Sequence, residues 1–322
     1  MTTFADGVVI QRDFDDFDAM TALAAAWDVK AARVDSGPFA ARLELAQTAE
    51  LQIVRLAAAN GLLITGTTPR GAAGVAFHIA APGGIRSLGR SIDAHRVAPA
   101  RLGHSEVHWL SNGPFEEVVI LADCALFERH LSTQLHKEAA KLGPDWLVRP
   151  AAGAATCADR GRALSGLLTV LSSNVLTSAA AKHRLQECAL HILLDGLETD
   201  ASAAPVTSLS ARRRVARAAE EVLRARLDDP PSLTELCDAL NVPERTLHAA
   251  FQEGFGMAPK VYLRALRLSA AHMRLRCGRG SVTEAATDLG FFHFGRFSGE
   301  YRAMFGEAPS ETLRRARGMS TG

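Results

Sequence analysis

Cysteine is scarce in this chain of 322 residues, and its five copies (Cys124, Cys157, Cys188, Cys237 and Cys277) stand far apart with no C-x-x-C pair. That spacing excludes a disulfide scaffold or a zinc ribbon and reads as reduced, mostly buried thiols in a cytosol. The segment Met1 to Arg12 lacks a basic stretch followed by an apolar core, so it does not read as a signal peptide. Long apolar runs are missing too. The longest uncharged run, Ala163 to Ala181, contains Ser165, Thr169, Ser172, Ser173, Asn174, Thr177 and Ser178. It is too polar for a membrane span of about 20 apolar residues. Nor is there a nucleophile elbow, a Ser/His/Asp arrangement or a full metal-ligand set. The expectation is a soluble cytoplasmic protein with no membrane partner, no cofactor and no enzymatic activity.

What is present is enough apolar material for a sizeable core: 48% of residues are hydrophobic and 22% charged. A net charge of +1 hides an asymmetry. From Ala211 to Gly322 there are 18 basic and 13 acidic side chains, whereas the remainder holds 18 and 22. A basic C-terminal third attracts polyanions even in a near-neutral chain.

Hydrophobic periodicity divides the chain. Phe14, Phe17, Met20, Leu23 and Trp27 recur at helical spacing, with acidic residues crowding the start. Between Phe39 and Asp123 the pattern changes to FAARLEL, LQIVRLAA, GLLITG, GVAFHIAA, EVHWL and EEVVILA, separated by Gly, Pro, Asn and Ser. Short runs with such breaks predict antiparallel strands in a barrel or sandwich. Helical spacing returns over Ala125 to Leu142 and Ala163 to Leu197, where Leu164, Leu167, Leu168, Leu171, Leu185, Leu190, Ile192, Leu193 and Leu197 mark an apolar stripe suited to dimerisation. The stretch TDASAAPVTSLS is small, polar and broken by Pro205, as a linker is. The predicted organisation is α+β. An antiparallel barrel with dimerisation helices occupies 1–198, a linker 199–211, and an all-α domain 212–322.

An internal repeat marks that last domain. Ser232, Glu235 and Leu240 recur 49 residues later as Ser281, Glu284 and Leu289; Leu247, Phe251, Gly256 and Pro259 recur after 50 as Phe297, Tyr301, Gly306 and Pro309. Each copy has the parts of a helix-turn-helix. Ser232 and Ser281 are caps, Cys237 and the Ala285/Ala286 pair permit close helix approach, and Asn241 and Gly290 suit a left-handed turn. Pro243 opens the second helix of the first copy with its φ already helical. Pro259 to Cys277 reads as one helix between the copies, roughly 28 Å at ~1.5 Å per residue. That is close to the ~34 Å between successive major-groove faces of B-DNA.

SLTELCDALNVPERTLHAAFQEGFGMAPKVYLRALRL followed by SVTEAATDLGFFHFGRFSGEYRAMFGEAPSETLRR closely resembles the double helix-turn-helix domain of AraC/XylS-family transcription regulators. The resemblance covers roughly the last 110 residues and is most specific over Gly290 to Arg315. The preceding layout is similar, more weakly, to the family's sensor region. The resemblance implies a cupin-like barrel with a small-molecule effector, a homodimer, double-stranded operator DNA and RNA polymerase as partners, activation of transcription, and a place on the nucleoid. Pro243 departs from the usual Ser cap, and Gly295 and Gly299 leave the second reading helix unusually bare.

On the first reading helix the residues left over from the core are Glu244, Arg245, His248, Ala249 and Gln252. Arg245 and His248 share a face, and the resemblance places them in the major groove. An Arg there donates twice to guanine, making Arg245 the first candidate for direct readout; solvation beside Glu244 or Glu235 is the alternative. Glu244 would repel phosphate or accept from cytosine. In the second copy His293 starts the helix, and Arg296, Ser298 and Arg302 are expected to hold phosphates and read shape, with Gly295 and Gly299 contributing no side chain. Arg314, Arg315 and Arg317 follow as phosphate ligands or a frayed basic tail, and Arg212 to Arg214 play the same part at the linker.

In the N-terminal half, Arg55 lies in phase with Leu51 and Ile53, and His78 and Trp109 fall in strands. An inward Arg55 would favour an organic acid as effector; the alternative for all three residues is a purely structural place. Gly84 to Ser91 (GGIRSLGRS from Gly83) approaches a P-loop, but Arg90 stands where Lys is needed. His104, Glu106 and His108 approach a metal site without completing one. The readings that compete with a ligand-controlled regulator are a cupin-like enzyme fused to a DNA-targeting domain and a ligand-independent regulator.

Overall fold

All six apolar runs between Phe39 and Asp123 become strands. The computed structural model describes residues 4–319 except 24–28, 88–89, 93–99, 103–105, 136–144, 147, 151–156, 172–174, 195–196, 200–210 and 228–230. Its strands are β1 (Val8–Phe14), β2 (Val29–Arg33), β3 (Ala41–Gln47), β4 (Leu51–Ala58), β5 (Leu62–Thr67), β6 (Ala72–Ala80) and β7 (Ile85–Ser87). They continue as β8 (Arg90–Ile92), β9 (Ala100–Leu102), β10 (Glu106–Ser111), β11 (Phe115–Asp123), β12 (Asp145–Trp146), β13 (Val148–Pro150) and β14 (Leu197–Thr199).

Among the described residues these strands make one sheet in the order β1-β3-β4-β11-β6-β9-β12, a second in the order β2-β5-β10-β7-β8, and the separate pair β13-β14. All ladders are antiparallel. The expected closed barrel does not form. Each large sheet ends on strands with a ladder on one side only, and the short β7, β8, β9 and β12 offer too few hydrogen bonds to close a ring. The P-loop look-alike lies on β7 and β8, which pair as adjacent antiparallel strands. That is not the strand-loop-helix a phosphate cradle needs.

The larger sheet is covered on both faces. One face carries Leu51, Ile53, Val75, Phe77, Val118 and Ile120, packed beneath helices α2 (Cys124–Leu135), α3 (Cys157–Val170) and α4 (Ala179–Leu194). The other carries Val54, Leu56 and Phe115, which meet Trp109, Leu62 and Ile85 of the second sheet. Most of the leucine stripe expected to build a dimer packs inside the chain, with Leu167, Leu171 and Ile192 only partly buried. Leu164, Leu168, Leu185, Leu190 and Leu193 are all buried against that first face. The stripe is also two helices, separated by a 3₁₀ turn at Val175–Thr177, not one. The N-terminal helix starts later than its periodicity suggests. Phe14 closes β1, and α1 (Phe17–Leu23) starts where Asp16 Oδ1 accepts from the Asp18 and Ala19 amides. Trp27 lies outside the described residues.

Among the described residues the regular structure of the C-terminal third is helical: α5 (Ala211–Ala225), α6 (Leu233–Leu240), α7 (Glu244–Phe255), α8 (Pro259–Arg276), α9 (Val282–Thr287), α10 (Phe294–Phe305) and α11 (Pro309–Met319). The two halves are not independent. Ala32, Leu63 and Leu110 of the second sheet share a core with Ala219, Leu223, Phe255 and Tyr262. Arg86 Nη1 donates to the Glu253 carbonyl at 2.9 Å, and the Gly37 amide donates to the Ala303 carbonyl at 2.8 Å. At the far end of α8, His272 Nε2 and Arg276 Nε reach Asp18 at 2.9 and 3.1 Å. The expected linker lies outside the described residues apart from Thr199 and Ala211.

Candidate nucleic-acid interface

Local chemistry fixes both helix-turn-helix copies. Ser232 Oγ accepts from the Glu235 amide at 3.2 Å while Glu235 Oε2 accepts from the Ser232 amide at 2.7 Å. Ser281 and Glu284 repeat the same exchange at 3.1 and 2.7 Å. Each capping box satisfies two amide donors that a helix start would leave unpaired. The first turn rests on Asn241, at φ +50° the non-glycine residue with positive φ among those described. The second uses Gly290 at φ +74°. Pro243 stands one residue earlier than expected: it is the N-cap, extended at ψ 150°, and the helix proper begins at Glu244.

Leu247 and Phe251 in α7, and Phe297 and Tyr301 in α10, are fully buried and anchor the two reading helices. Tyr301 also donates to Thr312 Oγ1 at 2.9 Å and meets His272 Nδ1. Burial, aided by Glu307 and Asp18, holds its phenol above the usual range despite the Thr312 bond. The 18 residues of α8 span roughly 27 Å at ~1.5 Å per residue.

On the open side of α7, Glu244, Arg245 and Gln252 are exposed, and His248 and Ala249 half-buried. His248 Nε2 lies 3.6 Å from Glu244 Oε1, one turn away. Glu244 is thus turned toward His248, and Arg245 makes no ion pair among the described residues. The second helix differs in character. His293 is its N-cap, and a Cβ at Gly295 or Gly299 would meet nothing within 4 Å, so neither glycine serves packing. Arg296 is exposed, but its Nε holds Glu300 Oε1 at 2.8 Å, a carboxylate that Arg264 shares at 3.1 Å. Ser298 is half-buried and Arg302 exposed.

Sequence reasoning missed two residues here. Phe292 is 74% exposed and Phe294 44% exposed, on either side of His293, the N-cap of α10. Their signal was in the string FFHFG, where two of three phenylalanines have no place in the helical core pattern. Phe292 lines a cleft of about 320 Å³ together with Lys260, Arg264, Arg267, His293, Arg296 and Glu300, a net-basic set. Burial lowers the Arg267 guanidinium's pKa, and its Nε has no hydrogen-bond partner.

The basic flanks are more ordered than a frayed tail. Arg317 donates to the Gly278 and Gly280 carbonyls at 3.2 and 2.6 Å, and Arg315 pairs with Glu307. Arg314 is exposed, and Arg212 lies 3.7 Å from Glu253.

The three expected effector contacts separate. Arg55 does share its strand face with Leu51 and Ile53, but that face looks toward the helices, not between the sheets. There its Nη1 holds Glu44 Oε2 and its Nε holds Glu116 Oε1, both at 2.9 Å. Two carboxylates on one guanidinium leave no free cation for an acidic ligand. His78 and Trp109 do come together between the sheets, their ring planes 25° apart at 6.3 Å. His108, from the metal look-alike, lies 3.4 Å from Glu220 of α5, while His104 is outside the described residues.

The family described as "Helix-turn-helix domain" matches residues 236–315, both copies and the helix between them. The chain is 40% identical over 107 residues to "XylDLEGF operon transcriptional activator 1" of Pseudomonas putida, covering 32% of this chain and 31% of that one. It is 33% identical over 133 residues to a "Probable thc operon regulatory protein" of Rhodococcus erythropolis, covering 40% of each. A solved structure, a probable AraC family transcriptional regulator from Rhodopseudomonas palustris, is 37% identical over 32% of this chain and 97% of its own, with a TM-score of 0.31. The match thus spans about a third of the length of these curated relatives. Among the described residues no helix is long and apolar enough to cross a membrane.

Proposed function

We propose that this chain, an AraC/XylS-family member by the helix-turn-helix domain at its C-terminal end, is a DNA-binding transcription activator governed by a small molecule. In this reading residues 1–198 sense the effector, 199–211 link, and 212–322 hold the operator. Arg245 reads a guanine edge with His248 and Gln252 beside it. Arg296, Ser298 and Arg302 seat phosphates around the bare face of α10. The names of the relatives, transcriptional activators and an operon regulatory protein, favour activation.

One observation carries the proposal. Two capped helix-turn-helix units of the same build sit on one long helix, and the face of each reading helix stays exposed while the N-terminal half meets α7 and α10 near their C-terminal ends, at Glu253 and Ala303. A helical repeat made for protein contacts would not need a cationic cleft and an unpaired Arg beside these faces. We further assign RNA polymerase and a second copy of the chain as partners. Half-buried Leu167 and Leu171 and the exposed Val170 of α3 leave an apolar surface open to the second copy.

The test is to sequence the DNA fragments retained by the purified chain, then compare Arg245→Ala with wild type. Arg245→Ala should lose about 1–3 kcal/mol on the selected site and little on random DNA. An equal loss on both would make Arg245 a phosphate contact, and failure to enrich any sequence would end the reading.

A further inference from the structure

Between the two sheets, His78 of β6, Trp109 of β10 and Glu117 of β11 are each more than nine-tenths buried. Both ring nitrogens of His78, the indole nitrogen of Trp109 and Oε2 of Glu117 have no hydrogen-bond partner. His78 Nδ1 and Glu117 Oε2 are 3.3 Å apart but not aligned to bond. Most buried polar groups in proteins are paired, so four unpaired atoms in one place call for a partner.

The backbone is shaped to gather them. His78 and Glu117 are direct cross-strand neighbours, and the β6–β11 register slips between Glu116 and Glu117. Such a bulge re-aims side chains and is common beside binding sites. Phe115, two residues before Glu117 on the same face, packs edge-on against Trp109 at 4.6 Å. Phe115 also lines a surface cleft of about 480 Å³ at the end of the sheet, with Phe14, Ala58 and Ala80. Phe115 stands between that cleft and Trp109.

We infer that His78, Trp109 and Glu117 form the site of a small cationic effector, an alkylammonium compound that also carries a hydroxyl or carbonyl oxygen. The inference rests on the effector-governed reading above and reverses the charge expected from Arg55. The donor and acceptor inventory sets the class. A carboxylate only accepts, so Glu117 requires a donor, and a cation is the donor that also answers its charge. An indole N–H only donates, so Trp109 requires an acceptor oxygen. The His78 ring adds two nitrogens that can hydrogen-bond. The aromatic faces of Trp109 and Phe115 add a surface that favours an ammonium group and would not favour a carboxylate. Arg55, the cation that would have argued for an acid, is bound on the opposite face by Glu44 and Glu116.

The experiment uses the full chain and two sets of probes, with affinities from calorimetric titration and thermal unfolding alongside. Ethylammonium, ethanolamine and choline form one set; propionate and benzoate form the other. Ethanolamine or choline should raise the melting temperature by several degrees at saturation, and the carboxylates should not. Glu117→Gln should weaken that binding at least tenfold while leaving far-UV circular dichroism and operator binding in place. Trp109→Phe, which keeps a ring and removes the N–H, should weaken ethanolamine but leave ethylammonium unchanged; this arm decides the matter if Glu117→Gln does not fold. Binding by the carboxylates alone, binding by neither set, or ammonium binding indifferent to both substitutions would overturn the inference. Selection of an operator by the same preparation is scored separately, so the regulator can stand while this site falls.

Discussion

His108, at the centre of β10, and Glu220, in the middle of α5, meet at 3.4 Å and tie the sheet domain to the helical one. Glu220 is crowded with partners. Arg224 Nε holds its Oε1 at 2.9 Å and the Tyr262 hydroxyl donates to the same oxygen. Burial alone would raise its carboxyl. The adjacent His108, the charge of Arg224 and the Tyr262 bond outweigh that and bring it down to about 2. Tyr262 moves the other way: burial and the adjacent carboxylate push its phenol well above the usual range.

This pair makes domain docking acid-sensitive in a definite direction. A carboxyl held below its unfolded value near 4.5 contributes fully above that pH and loses its contribution as pH falls toward 2. A depression of this size corresponds to roughly 3 kcal/mol as an upper figure. Urea midpoints measured from pH 6 to pH 2.5 should therefore fall more steeply for wild type than for Glu220→Gln. The variant should be less stable at pH 6 and flatter below pH 4.5. Parallel curves would mean that Glu220 is not linked to stability in this window.

The same features explain which parts of the structure were legible in the sequence. The helical domain was readable because its determinants are local. Capping boxes span three residues, the turn needs one left-handed residue, and the core positions recur within two turns of helix. The strands were readable individually, since Gly, Pro and Asn mark their ends. Their closure was not, because it depends on ladders between distant segments such as β1 with β3 and β2 with β5. Arg55 shows the limit most clearly. Its parity with Leu51 and Ile53 was right, but β4 is buried on both faces and so has two insides. Only the β3 partner, which sets Glu44 directly opposite Arg55, decides which inside it faces. The sharing of a core by Leu63, Leu110 and Phe255 left no mark in the sequence, because each also fits its own domain's pattern.

Asn241 offers a test of the turn itself. It holds φ +50°, and its amide donates to the Asp238 and Cys237 carbonyls that end α6. A left-handed conformation costs an ordinary side chain about 1–2 kcal/mol, and Gly or Asn much less. Asn241→Gly should leave the thermal midpoint nearly unchanged, whereas Asn241→Val should cost about 1–2 kcal/mol, most of it from β-branching at that backbone position. Equal midpoints for the two variants would show that the turn relaxes away from its left-handed form.

Phe292 and Phe294 test whether the second reading helix uses apolar contact where it lacks polar readers. Two exposed phenyl rings beside a cationic cleft are out of place on a surface meant only for water. The thymine C5-methyl is the apolar feature of the major groove, and Gly295 and Gly299 leave room for the backbone to approach it. Burying one methyl-sized group is worth about 0.8 kcal/mol, roughly fourfold in affinity. Replacing thymine by deoxyuridine at the contacted step of the selected operator should therefore weaken the wild-type complex about fourfold. Phe292→Ser should bind the thymine site more weakly than wild type and no longer distinguish thymine from deoxyuridine. If deoxyuridine is tolerated throughout the distal half-site, the rings do not read thymine. If Phe292→Ser binds DNA as wild type does yet fails to activate transcription in a purified system, the rings face RNA polymerase instead.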